Sequence, residues 1–259
     1  MALYCAVLTC LLTRVLTVMP QAIQNNSLDL YGGENPIYLP AYTMKDVSGY
    51  LDIPYSTVRY WVRGRNQRVQ GSGEKIPPII DPPDQETPTL SFVNLVELHV
   101  LDALRRKGVT LQNIRVSLEF IEDHVESTHP LASIDFQTNG IDLFVENANS
   151  LLNVSKQGQI AMKEIMNQYL SRIERDEEGV VKSLYPFIRS SRRTDQPRNI
   201  MMNPRVSFGR PVLAENGVRT DIIFERYHAG DSISELAADY RCDEDLIEDA
   251  IRCESKRAA

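Results

Sequence analysis

Hydrophobic positions along the chain recur in short helical stretches separated by turn-rich joints. In YTMKDVSGYLDI, Met44, Val47, Tyr50 and Leu51 fall at helical spacing. Thr43 stands where an N-cap belongs, and Asp46, three residues on, takes the place of the usual glutamate of a capping box. Pro54 disfavours helix at Ile53 and ends this stretch. YSTVRYWVRG starts a second helix near Ser56, with Val58, Trp61 and Val62 on one side and Gly64 as its stop. Two short helices joined by a tight turn form a helix-turn-helix.

Residues 65–90 hold five of the chain's fourteen prolines and read as a short two-stranded wing, with PPII at 77–80 at most an edge strand. SFVNLVELHVLDALRRKG predicts an amphipathic helix over 92–107 on Val93, Val96, Val100, Leu101 and Leu104, ended by Gly108. A further helix follows on Leu111, Ile114, Leu118 and Ile121. Between 129 and 159, IDLFVEN and LLNVS suggest a hairpin with Asn-Ala-Asn-Ser in its turn. IAMKEIMNQYLSRIERD predicts a helix over 160–176, apolar at 162, 165, 166, 169, 170 and 173. Either this helix or 92–107 is a candidate dimer seam.

IRSSRRTDQPRN lacks apolar rhythm and reads as a basic linker. Beyond it, NPRVSFGRPVLAENGVRT suggests two short strands around turns, and DIIFERYHAG, SISELAADYRC and DEDLIEDAIRCES suggest three short helices. Ser232 and Glu235 make a capping box, so this unit is a second helix-turn-helix by pattern. The expected fold is mainly α with short β hairpins: a winged helix-turn-helix N-terminal domain plus a small three-helix, helix-turn-helix-like C-terminal domain. The expected organisation is a leader or tail over 1–35, the winged domain over 36–128 and an αβ connector with a possible dimer helix over 129–188. A basic linker over 189–202 and the C-terminal domain over 203–259 complete it.

The start, MALYCAVLTCLLTRVLTVMP, resembles a signal-peptide core but lacks a basic n-region and carries Arg14 in its middle. Its apolar run is short for a bilayer, so no membrane association is expected. The simpler reading puts the natural start at Met19, with residues 1–18 as upstream sequence.

Charge changes the picture most. The chain has a formal net charge of -7, yet Tyr55 to Arg68 carries four arginines and no acid. Asp221 to Glu254 carries eleven acids against three arginines, a balance of -8 that leaves +1 for everything else. The second helix of a helix-turn-helix presents its outer side chains to the DNA major groove. In the first unit these are Tyr55, Ser56, Thr57, Arg59, Tyr60 and Arg63, with Arg65 and Arg68 just beyond. Arginine pairs bidentately with guanine, and hydroxyls hold phosphates. The second unit's third helix would instead present Asp243, Glu244, Asp245, Glu248 and Asp249, which phosphates repel. Two modules of similar plan therefore face different partners.

Cys5, Cys10, Cys242 and Cys253 form no C-x-x-C pair, and His99, His124, His129 and His228 are scattered, so neither a metal nor another cofactor is expected. Reduced thiols fit a cytoplasmic protein. VQGSGEK lacks the ending of a phosphate-binding loop, and no catalytic constellation is present. His99 and His228 read as structural.

YTMKDVSGYLDIPYSTVRYWVRG with LSFVNLVELHVLDALRRKGVTLQNIRVSLEFI resembles the winged helix-turn-helix of MerR-like regulators, over roughly residues 40–125. Asn203-Pro204, Gly209-Arg210-Pro211, Arg219-Thr220-Asp221 and AGDSISELAADY resemble a short bacterial domain of unknown function common in toxin–antitoxin operons. The combination is similar to the larger VapB-type antitoxins, which pair with a PIN-domain ribonuclease toxin. The resemblance implies an antitoxin that inhibits its toxin and represses its own operon on double-stranded operator DNA as a homodimer. It also implies a toxin whose metal ions sit in a carboxylate cluster. Arg189, Arg192, Arg193 and Arg198 could reach that cluster, since guanidinium forks match carboxylates; a plain linker is the alternative. The long N-terminal half leaves open which module neutralises the toxin. The other reading is a MerR-like transcription regulator sensing a small molecule.

Overall fold

The computed structural model describes residues 30–69, 72–84, 86, 87, 89–122, 127–133, 156–186 and 197–258. The chain divides into two compact units, Met1–Pro36 and Ile37–Ala259. The first is described only from Leu30 onward, as turns, so the expected leader lies outside the described residues, as does most of the expected hairpin between 129 and 159.

The second unit is mainly α. Its described helices are α1 (Met44–Leu51), α2 (Tyr55–Arg63), α3 (Phe92–Arg106), α4 (Leu111–Glu122), α5 (Lys156–Leu170), α6 (Thr220–Ala229), α7 (Ile233–Tyr240) and α8 (Glu244–Ala258). Three antiparallel two-stranded sheets join them among the described residues: β1 (Arg65–Val69) with β2 (Ser72–Ile76), β3 (Ile173–Arg175) with β4 (Val181–Leu184), and β5 (Ile200–Met201) with β6 (Val212–Leu213).

α1 starts at the capping box read from sequence. The Asp46 amide donates to Thr43 Oγ1 at 3.1 Å, and the Thr43 amide donates to Asp46 Oδ2 at 3.0 Å. Asp52 ends α1 in the left-handed conformation, with φ 55°. α3 begins at a second box, Ser91 with Asn94.

α3 departs from its expected amphipathic character. Every residue from Phe92 to Leu104 is buried, so the polar positions need partners inside the protein. Asn94 Nδ2 donates to the Asp81 carbonyl at 3.0 Å, Glu97 pairs with His129 Nδ1 at 3.2 Å, and Asp102 pairs with Arg106 at 2.5 Å. His99 Nε2 lies 3.1 Å from the Tyr169 carbonyl, which can only accept, so the proton sits on Nε2. A helix surrounded on all sides is the core of the domain and has no face left for a dimer seam.

The helix expected over 160–176 ends at Leu170, and Ile173–Arg175 is strand β3 instead. Ile173 satisfies both periods, which is why the pattern ran on. The turn decides: Asp176 Oδ1 accepts from the amides of Glu178 at 3.0 Å and Val180 at 2.9 Å, closing a hairpin. PPII is not a strand either. The amides of Ile79 and Ile80 donate to the Trp61 carbonyl at 2.7 and 3.1 Å, folding this stretch back under α2.

Two hydrophobic clusters result. One gathers α1 to α5 and the β3–β4 hairpin around Trp61, Phe92, Leu98 and Leu104. The other holds β5, β6 and α6 to α8 through Ile200, Leu213, Ile223, Leu236 and Ile247. Main-chain bonds between Leu184 and Met202, at 2.9 and 2.8 Å, tie β4 to the segment that starts the second cluster.

Candidate nucleic-acid interface

α2 is held by one face and free on the other. Val58, Trp61 and Val62 are buried, whereas Tyr55, Ser56, Arg59 and Arg63 are exposed and Thr57 and Tyr60 half-buried. The ring of Tyr60 packs against the core cluster. Ser56, Thr57, Arg59, Tyr60, Arg63, Gly64 and Arg65 line one open groove of about 710 Å³. Six of the eight residues expected to meet DNA are thus brought to one surface. Tyr55 opens onto a neighbouring groove, and Arg68 lies on β1 opposite Gly73.

Gly64 makes the step from α2 to the wing possible. Its φ is +69°, and a Cβ there would fall 2.2 Å from the Ile76 carbonyl oxygen. The hairpin therefore turns off the end of α2 with Arg65 at its root, paired with Ile76. Arg115 of α4 donates to the Pro77 carbonyl and anchors the far stem of the wing. Sequence reading missed Arg115, since nothing local marks an arginine whose partner lies 38 residues away.

It also missed what lies against α1. The last turn of α8 packs there, with Lys256 Nζ 3.2 Å from Asp52 and Arg257 Nη1 3.8 Å from Asp46. The Arg257 guanidinium lies 5.8 Å from the centre of the Tyr50 ring and 2.9 Å from Glu254. Burial pushes the Tyr50 hydroxyl above its ordinary value, against the pull of Arg257. The C-terminal module is therefore docked on the helix-turn-helix, and a second contact, Tyr42 hydroxyl to the Gly209 carbonyl at 2.9 Å, joins them.

The acidic surface is smaller than expected. Asp243, Glu244 and Asp245 are exposed and Glu248 half-buried, but Asp249 is fully buried. It accepts from Asn199 Nδ2 at 2.8 Å and pairs with Arg252 at 2.9 Å, which fastens α8 to the segment before β5.

Of the four linker arginines, Arg189, Arg192 and Arg193 lie outside the described residues. Arg198 is exposed, 5.3 Å from the centre of the Tyr185 ring. Beside it the buried Arg172 donates to the carbonyls of Tyr185 at 2.8 Å, Pro186 at 3.3 Å and Pro197 at 3.0 Å. It thereby pins both stems of the linker. Burial, and after it the Arg198 charge, lowers Arg172 to about 10.

Among the described residues no group of three or more His, Cys, Asp or Glu side chains could hold a metal ion. Nor is any described helix long and apolar enough to cross a membrane. Cys242 and Cys253 are free thiols, the latter raised to about 12 by burial.

The chain is 31% identical over 229 residues to the "Putative antitoxin VapB45" of Mycobacterium tuberculosis, covering 82% of this chain and 93% of that protein. The chain belongs to the VapB45 family of antitoxins. Residues 40–118 of this chain, from the approach to α1 into α4, match the family described as "Putative DNA-binding HTH domain". Residues 200–252, from β5 into α8, match a protein family of unknown function, DUF433. The fold is similar to the crystal structure of Rv2018 from Mycobacterium tuberculosis, with a TM-score of 0.61 and 25% identity over 84% of this chain and all of the other.

Proposed function

We propose that this chain is a cytoplasmic, non-catalytic antitoxin that binds and inhibits a PIN-domain ribonuclease. As a homodimer, with or without the toxin, it represses its own operon by placing α2 in the major groove of operator DNA. The observation that carries the DNA half is the outer face of α2. Ser56, Arg59 and Arg63 stand free on a helix whose opposite side is locked by Trp61, with no acid between Tyr55 and Arg68. Membership of an antitoxin family carries the toxin half.

The acidic α8 surface at Asp243, Glu244 and Asp245 is unsuited to phosphate and suits protein contact. Arg198, with Arg189, Arg192 and Arg193 from the same basic segment, is proposed to approach the toxin's carboxylate cluster. A tagged chain purified with the product of its neighbouring gene tests the reading. A ribonuclease that is silent in the complex and active once separated supports it; a neighbour that neither co-purifies nor cuts RNA overturns it in favour of a MerR-like regulator.

A further inference from the structure

The groove that receives Tyr55 belongs to neither module alone. It measures about 610 Å³ and runs between α1, the first turn of α2 and the last turn of α8. Lys45, Ser48, Tyr55, Lys256 and Arg257 bring polar groups to its wall; Asp52 is the one carboxylate in the lining and pairs with Lys256, while Arg257 is held by Glu254 and Asp46 outside it. The cations come from both modules, Lys45 from α1 and Lys256 and Arg257 from α8. Lys256 and Arg257 close a module that otherwise carries -8 between Asp221 and Glu254.

Basic residues in a helix's last turn are favoured by its dipole, which accounts for their sign but not for where they are delivered. The close approach of α8 to α1 places them beside the start of the recognition helix. In a helix-turn-helix the first helix crosses the DNA backbone while the second enters the groove. Tyr55 and Ser56 are adjacent in sequence and line the two neighbouring grooves, so a strand following the start of α2 passes from one to the other.

We infer that this groove is a second contact for duplex phosphate, through which the acidic C-terminal module takes part in DNA binding by its basic end. The inference rests on the DNA-binding reading of α2. Asp52 is 63% exposed at its side chain, so its pairing with Lys256 is solvent-screened and exchangeable for a phosphate oxygen. Lys45 and Lys256 supply charge without reading bases, whereas Arg59 and Arg63 carry the sequence information.

The test measures affinity against salt for the full chain on two duplexes, one carrying the DNA upstream of its own gene and one of scrambled sequence. Lys45→Gln and Lys256→Gln should each reduce the slope of log affinity against log salt by about 1, equally on both duplexes. Asp52→Asn, which suits the left-handed cap, should tighten binding to both. Unchanged slopes for both lysine variants, in a chain whose Arg59→Ala variant loses binding, would overturn the inference and leave the α2 reading intact. Failure of the unaltered chain to bind either duplex would overturn both.

Discussion

A Cβ on Gly49 would come within 2.9 Å of the Cα of Arg257. The last turn of α8 lies so close to α1 that only hydrogen fits between the two helices. Gly49→Ala sets two effects against each other, since alanine favours helix over glycine by about 1 kcal/mol. A backbone contact cannot swing aside as a flexible side chain can, so the steric effect wins. We predict a net loss of about 2 kcal/mol on thermal unfolding. A more stable alanine variant would mean that the docked arrangement yields easily.

Gly64 controls the wing. At φ +69° an alanine is strained, and its methyl would overlap the Ile76 carbonyl oxygen 2.2 Å away. Gly64→Ala is expected to displace the β1–β2 hairpin and lower stability by about 2 kcal/mol. DNA affinity should fall with it, because Arg65 stands at the displaced root. Retention of both stability and affinity would contradict this account of the turn.

His99 makes stability depend on pH. Burial lowers its pKa from 6.5 to about 4. Between those values the unfolded chain binds a proton that the folded chain refuses. Stability contributed by the neutral ring is therefore complete above pH 6.5 and declines as pH falls toward 4, by about 3 kcal/mol in all. Asp102 nearby is raised, chiefly by burial, and acts in the opposite sense, so the comparison must be made against a variant. His99→Gln, which keeps a donor for the Tyr169 carbonyl, should remove this slope. An unaltered pH profile in the variant would show that His99 does not set it.

Ser207, Phe208 and Gly209 form three successive left-handed residues, at φ 49°, 54° and 78°. The Phe208 side is largely solvent-facing, with the residue 68% exposed, so little burial offsets the strain. Phe208→Asn should raise stability by about 1 kcal/mol, since asparagine adopts this conformation readily. A fall in melting temperature would show that the ring's contacts outweigh the backbone cost.

What the sequence disclosed and what it hid follow one physical line. Thr43 with Asp46, Ser232 with Glu235, and Gly64 act within a few residues, and each was readable because its partner is local. The charge contrast between Tyr55–Arg68 and the C-terminal module was legible for the same reason. Ile173 is ambiguous in the sequence because its apolar character serves a helix and a strand equally, and only the Asp176 turn decides between them. Asp249 looked like one acid among many, yet Asn199, distant in sequence, draws it inside. The groove of Lys45 and Lys256 was invisible: it exists only once α8 rests on α1, and an unexplained glycine inside α1 was the sole trace of that contact.

The most direct measurement is the affinity of the full chain for a duplex from upstream of its own gene, with Arg59→Ala and Arg63→Ala beside it. Each substitution is expected to cost about 1–3 kcal/mol, or about fivefold to 150-fold, and to weaken preference for that duplex over a scrambled one. Melting temperatures should be unchanged, because both side chains are exposed. Undiminished affinity in both folded variants would contradict the claim that the outer face of α2 reads DNA.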